Sequence, residues 1–294
     1  MLMRIPDMDF VGTPTPMVIP ISMVYFREGM SHMLPIHQQF INQAMEKIRQ
    51  DSRLTGLLVG GSVIRGTVDA YSDLDLIVVY DIAFKEEIME QRIRIANSFG
   101  SLLSAFTGEH VGEPRLVICL FGPQPLHVDL KFISSSELAV RVENPLVLWD
   151  RDNSLCSIIN ETSPSYPTPT PQWMEDRFWV WVHYGATKLG RGELFELIDL
   201  LSYIRSVVLG PLILMNNGHI PSGVRRLEQY AAHEMEELKE TLPLHNAPSC
   251  YHALKASIEI YRRLRQVTEG LIRKEEAEQA AIVYLDSVYD SVRK

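Results

Sequence analysis

"VGGSVIRGTVDAYSDLDLIVVY", residues 59–80, runs from two glycines and a serine into an apolar segment that carries two aspartates one position apart. The β-branched and aliphatic residues of "LDLIVVY" read as a buried strand. Side chains alternate across a strand, so Asp73 and Asp75 share one face while Leu74 and Leu76 take the other. Two carboxylates on one face repel each other, and burying either without a partner is costly. The arrangement becomes favourable when a divalent cation sits between them. Hard oxygen ligands of this kind suit Mg²⁺, which takes one or two carboxylates together with waters and substrate phosphates.

Two flanking features fit such a site. Gly60-Gly61-Ser62 follows the apolar run "LTGLLV"; glycines let the backbone approach a ligand closely, and exposed N–H groups beside a hydroxyl can hold phosphate oxygens. This is not a P-loop, because Thr67 stands where that motif requires lysine after Gly66. Downstream, "LHVDLKFI" places Asp129 mid-strand, with Val128, Leu130 and Phe132 on the opposite face and His127 and Lys131 on its own.

The elements around these motifs define the organisation. "PIHQQFINQAMEKIRQD" sets Ile36, Phe40, Ile41, Met45 and Ile48 on one helical face. "LTGLLVG" and "LDLIVVY" read as strands, and "FKEEIMEQRIRIANSFGSLLSAF" reads as a helix along its whole length. "PRLVICLFG" and "LHVDLKFI" read as two strands joined by a "GPQP" turn. The expected order is therefore helix, strand, strand, helix, strand, strand: a mixed sheet covered by helices. Prolines at 164, 167, 169 and 171 mark a linker, and almost everything past Trp173 has helical spacing, including "VRRLEQYAAHEMEELKETL" as one helix. The expected division is an irregular arm over 1–34, an α/β (α+β) catalytic domain over 35–160, a linker over 161–172 and an all-α helical-bundle domain over 173–294.

Composition narrows the class. The chain has 294 residues, 46% of them hydrophobic, and a net charge of −9. An acidic chain lacks the basic face that nucleic-acid backbones require, and it is compatible with a cationic small molecule as partner. Cys119, Cys156 and Cys250 form no CxxC pair and no zinc-type cluster, so they read as reduced, partly buried thiols. No uninterrupted apolar stretch is read as long enough to span a bilayer, and residues 1–20 lack the form of a secretory signal. The expectation is a cytoplasmic protein with no membrane partner.

Gly61-Ser62, then Asp73-x-Asp75 on the next strand, then Asp129 on a later one: in order, spacing and strand context this resembles the nucleotidyltransferase superfamily of DNA polymerase β. Among its members the chain looks most like the antibiotic nucleotidyltransferases that adenylylate aminoglycosides or lincosamides, through "GSVIRGTVDAYSDLDLIVV", "HVDLKF", "VLWDRD" and the segment near "FWVWVHYGATKLGRGELFE". The resemblance implies a nucleotidyltransferase enzyme that uses Mg²⁺, with two ions, and ATP as donor. It assigns Asp73 and Asp75 to the metal and Gly61 and Ser62 to the phosphates. Asp129 becomes either a further metal ligand or the general base that takes a proton from an acceptor hydroxyl.

The pyrophosphate end calls for cations, for which Arg65, Lys188 and Arg191 are the candidates. Glu193, Glu196 and Asp199 are candidates for binding a cationic acceptor, expected in a cleft between the domains; Glu196 and Asp199 are three apart on one helix face. Two other readings stand beside this one: transfer of a nucleotide to a protein or RNA, as in toxin–antitoxin systems, and a catalytically silent nucleotide-binding module.

Overall fold

The computed structural model describes residues 33–293, so the expected N-terminal arm lies outside the described residues except for its last two positions. The chain divides into two compact units between Tyr166 and Pro167.

The first unit begins with helix α1 (Pro35–Gln50). A proline at the first helical position costs nothing, because its missing N–H has no intrahelical partner there. The helix buries Phe40, Ile41, Ala44, Met45 and Ile48, the apolar face expected from the spacing, together with His37. Strand β1 (Leu54–Val59) follows, then the single turn α2 (Gly61–Ile64), β2 (Leu74–Tyr80), α3 (Lys85–Asn97), β3 (Ser101–Gly108), β4 (Glu113–Gly122), β5 (Leu126–Ser134), β6 (Leu146–Asp150) and α4 (Leu155–Glu161).

The six strands form one sheet in the order β3-β4-β5-β2-β1-β6. All its neighbours are antiparallel except β2 and β5, which run parallel. The sheet is therefore mixed, as expected, but it has two strands that periodicity does not reveal. Residues 101–106, read as the tail of a helix, form β3 instead. It is an edge strand with mostly exposed or half-exposed side chains, so it shows no clean two-residue alternation. The second addition, β6, is only five residues long.

Alternation along β2 separates two apolar clusters. Leu74, Leu76, Val78 and Tyr80 join the larger core with Val128, Leu130 and Phe132 of β5, under α1 and α3. Each fully buried side chain of this size stabilises the fold by about 1.5–3 kcal/mol relative to exposure. Val79 and Ile133 point the other way, into a small cluster with Leu58, Leu138 and Leu155. Asp75 and Asp129 occupy this second, thinly covered face.

The second unit is helical, with a core of its own. Its helices are α5 (Pro171–Arg191), α6 (Leu194–Ile204), α7 (Gly210–Asn216), α8 (Leu227–Tyr230), α9 (Met235–Lys239), α10 (Ala247–Leu264) and α11 (Glu275–Val292). α5 ends at Gly192, whose φ of 70° supplies the left-handed cap. The expected helix over 224–242 is broken into short pieces, and Arg226, at φ 57°, stands where a continuous helix would need right-handed backbone. A continuous helical stretch, Leu194–Asn216, is long and apolar enough to cross a membrane by length and composition, contrary to the sequence expectation. It serves as the core helix of this unit, with 61% of that window buried, including Leu197, Leu201, Val208, Leu212 and Ile213.

At the centre of the second unit Glu175 is enclosed. Its carboxylate accepts from Trp179 Nε1 at 3.1 Å, Tyr261 Oη at 2.6 Å, Arg265 Nη1 at 2.8 Å and the Lys274 amide at 2.8 Å. A buried carboxylate persists only when its lone pairs are satisfied in this way.

Candidate active site

β2 carries Asp75 at its second position and Asp73 immediately before its first. The parallel register sets Asp75 directly opposite Asp129. Facing side chains on neighbouring strands about 4.8 Å apart project to the same side, so the sheet itself brings together acids from distant parts of the sequence. The electrostatic effect is visible at Asp75. Burial, then the charges of Asp73, Asp129 and Glu143, push its pKa up to about 6, with Arg65 opposing them weakly. Asp129 is held by His127, whose Nε2 lies 2.9 Å from its Oδ1.

Gly61 faces the same carboxylate. Its φ is 63°, and a Cβ built there would lie 1.7 Å from Asp75 Oδ2. Only glycine fits, for reasons of both backbone and space. Ser62 is 6% exposed, and its hydroxyl is buried without a hydrogen-bond partner. A buried hydroxyl left unpaired costs free energy that a ligand oxygen can recover. Backbone bonds hold this turn against β2: the Gly60 amide donates to the Asp75 carbonyl at 3.0 Å and the Thr67 amide to the Ser62 carbonyl at 3.0 Å.

Two residues that sequence reasoning missed complete the region. Glu143, in the loop before β6, accepts from the Gly61 amide at 2.8 Å through Oε1 and from Arg65 Nη1 at 2.5 Å through Oε2. No short-range pattern marks it, since its partners lie some 80 positions upstream. His37 is fully buried, and its Nε2 lies 3.1 Å from the carbonyl of Ser72, the residue before Asp73. Burial lowers its pKa, so the imidazole is kept neutral and Nε2–H donates to that carbonyl. A lone histidine on an apolar helix face is a signal for such a strut, though not one that names its target.

Three of the five expected second-unit residues, Lys188, Glu193 and Glu196, form one cluster. Lys188 Nζ lies 2.7 Å from Glu193 and 2.9 Å from Glu196. The cation assigned to phosphate is thus paired with two of the acids assigned to the acceptor, and the cluster keeps a net negative charge. Tyr184 also donates to Glu196. Arg191 and Asp199 are exposed. Lys131, on the Asp129 face, is committed to Glu113 at 2.8 Å.

Among the described residues, no three histidine, cysteine, aspartate or glutamate side chains stand ready as a metal-holding group. The donor set nevertheless fits a hard divalent cation. The side chains of Asp73 and Asp75 are hard oxygen donors without a hydrogen bond or ion pair, and they repel each other. Mg²⁺ needs only one or two protein carboxylates when phosphates and waters supply the rest. The structure does not gather Asp73, Asp75 and Asp129 into one preformed cage.

Residues 41–112 match the family model of the nucleotidyltransferase domain. The matched segment holds Gly61, Ser62, Asp73 and Asp75 and stops short of Asp129 and Glu143. Over this segment the chain resembles the nucleotidyltransferase superfamily. No curated protein matches it. Among solved structures it is similar to an aminoglycoside 6-adenyltransferase from Bacillus subtilis, at 20% identity and TM-score 0.37, covering 85% of this chain and 98% of that one. It is also similar to a nucleotidyltransferase-like protein from Exiguobacterium sibiricum 255-15, at 13% identity and TM-score 0.37, covering 87% and 90%. A third is a Thermotoga maritima CCA-adding enzyme complexed with tRNA, at 13% identity and TM-score 0.32, covering 90% and 72%. Likenesses this distant do not bear on the acceptor.

Proposed function

We propose that the chain transfers a nucleoside monophosphate, AMP from ATP, to a hydroxyl group of a small-molecule acceptor, with aminoglycoside and lincosamide antibiotics as the acceptor classes to test first. The observation that carries the reading is the parallel register of Asp75 and Asp129 beside Gly61 and the unpartnered Ser62 hydroxyl. Asp73 and Asp75 would hold Mg²⁺, which when bound supplies charge neutralisation along the triphosphate. Ser62 offers its hydroxyl to a phosphate oxygen, and Gly61 leaves the space for that approach. Asp129 accepts the proton of the attacking hydroxyl, and His127 orients its carboxylate. The oxygen of the acceptor forms a bond to the α-phosphorus while the bond to the departing pyrophosphate breaks.

Arg65 is the cation nearest the cradle. Lys188 and Arg191 are further candidates for the phosphates, and Lys188 must first leave Glu193 and Glu196. A net charge of −9 and the exposed Asp199 favour a cationic acceptor.

The test combines the protein, Mg²⁺ and α-labelled ATP with a panel of aminoglycosides, lincosamides and nucleosides, using Asp73→Ala and Asp129→Ala as controls. Label on a small molecule, lost in both variants, supports the reading. Near-normal turnover in either variant overturns the roles assigned here. Label on protein alone turns the reading toward a macromolecular acceptor, and ATP binding without pyrophosphate release turns it toward a silent module.

A further inference from the structure

We infer that Glu143 is an internal substitute for phosphate: its carboxylate occupies donors of the Gly61–Arg65 cradle, and an incoming triphosphate must displace it. The inference rests on the nucleotidyl-transfer reading above and adds to it a built-in competitor for the donor substrate.

One carboxylate oxygen takes the Gly61 amide at 2.8 Å and the other takes Arg65 Nη1 at 2.5 Å. A backbone N–H and a guanidinium shared by two oxygens of one anion is how proteins hold phosphate. The amide has a single hydrogen, so it cannot serve Glu143 and a phosphate oxygen together. The ion pair does not neutralise the site either, because the charge of Glu143 adds to those of Asp73 and Asp129 around Asp75. A residue present only to steady the loop would not need a charge that opposes its neighbours.

The local structure permits the exchange. Arg141, two residues before Glu143, ties this loop to the end of α4, its side chain donating to Asn144 Oδ1 at 2.8 Å, to the Ile159 carbonyl at 2.8 Å and to the Thr162 carbonyl at 2.5 Å, while its own carbonyl accepts from the Ser165 amide at 2.8 Å. Pro145, two residues on, is buried. The Glu143 side chain itself is 33% exposed. A rotamer change therefore takes the carboxylate to water without moving the loop, while the Ser62 hydroxyl is already without a partner. Displacing an ionised group from a guanidinium and an amide opposes ligand binding, and the apparent affinity falls by the fraction of chains in the open form.

The test is calorimetric titration of the full chain, and of Glu143→Gln and Glu143→Ala, with inorganic tripolyphosphate and with ATP, each with and without Mg²⁺. Both variants are expected to bind tripolyphosphate and ATP about tenfold more tightly than the wild type, with thermal melting confirming that they are folded. Equal or weaker binding in folded variants overturns the inference and makes Glu143 a positioning residue for Arg65. Should one variant fail to fold, the other decides. As an independent measurement on the wild type, saturating tripolyphosphate is expected to shift the Glu143 side-chain carboxyl carbon resonance, and an unmoved resonance overturns the inference. A wild-type chain that binds neither ligand removes the nucleotidyl-transfer reading as well. Binding by the wild type without a gain in the variants removes this inference alone.

Discussion

Asp75 of β2 and Asp129 of β5 are register partners in the only parallel strand pair among the described strands. The sheet thus holds two carboxylates side by side on its less covered face, and the penalty shows at Asp75.

Replacing Asp75 by asparagine removes that penalty without changing the shape. The carboxyl is raised from 3.8 to about 6 in the folded chain, so at pH 7 the ionised group costs the fold on the order of 3 kcal/mol. Asp75→Asn is expected to unfold at higher urea concentration than the wild type in EDTA at pH 7, while losing nucleotidyl transfer. A fall in stability would contradict this electrostatic account.

Gly61→Ala has the opposite sign. Its φ of 63° is strained for alanine, and the new methyl would meet Asp75 Oδ2 at 1.7 Å. A loss of about 2 kcal/mol or more is expected from strain and overpacking together. Combining it with Asp75→Ala removes the contact with the oxygen, so the double variant should be more stable than the sum of the two single changes predicts. Simple additivity in urea melts would show that only the backbone angle matters.

Ser62→Ala separates function from stability. The hydroxyl has no partner to lose, so the melting temperature should hold or rise slightly. If the hydroxyl meets a phosphate, KM for ATP should rise about tenfold, the value of one hydrogen bond to a charged group. A lower melting temperature with unchanged KM would make Ser62 a structural residue.

Acid should weaken the first unit through Glu113. Its hydrogen bonds to Arg115, reinforced by Lys131, hold its pKa down at about 2, against 4.5 when unperturbed. A depressed carboxyl stabilises the fold fully above its unfolded value, and that contribution is lost as pH falls from about 4.5 towards 2. With Arg115 and Lys131 side chains 33% and 37% exposed, solvent screening limits it to on the order of 1 kcal/mol. Glu113→Gln should melt below the wild type at pH 7, with the gap closing on acidification; a gap independent of pH would assign the effect to packing.

Where a strand or helix has one wet and one dry face, the sequence already displays it. The two-residue alternation around Asp75 and Asp129, and the helical face of Phe40 to Ile48, correspond to β2, β5 and α1 as they stand. Strand β3 does not announce itself, because only Leu102 and Ala105 pack against the core and an irregularity between Leu102 and Ser104 breaks the two-residue alternation. Glu143 and His37 are hidden for another reason. They act through chain closure, one reaching Gly61 from a loop and the other propping Ser72 from a helix, and spacing along a chain carries no record of such encounters. Nor did the pairing of Lys188 with Glu193 and Glu196 follow from treating each as a separate candidate.

The parallel junction also has a bearing on timing. Strand β5 reaches β2 only after the intervening helix and the β3–β4 hairpin have been laid down, and long-range closures of this kind come late in folding. A polypeptide still emerging from the ribosome, or cut short before residue 126, carries Asp73 and Asp75 but has no Asp129 to set beside them. The proposed site therefore comes into being only when this last strand pair closes, in one step rather than by degrees.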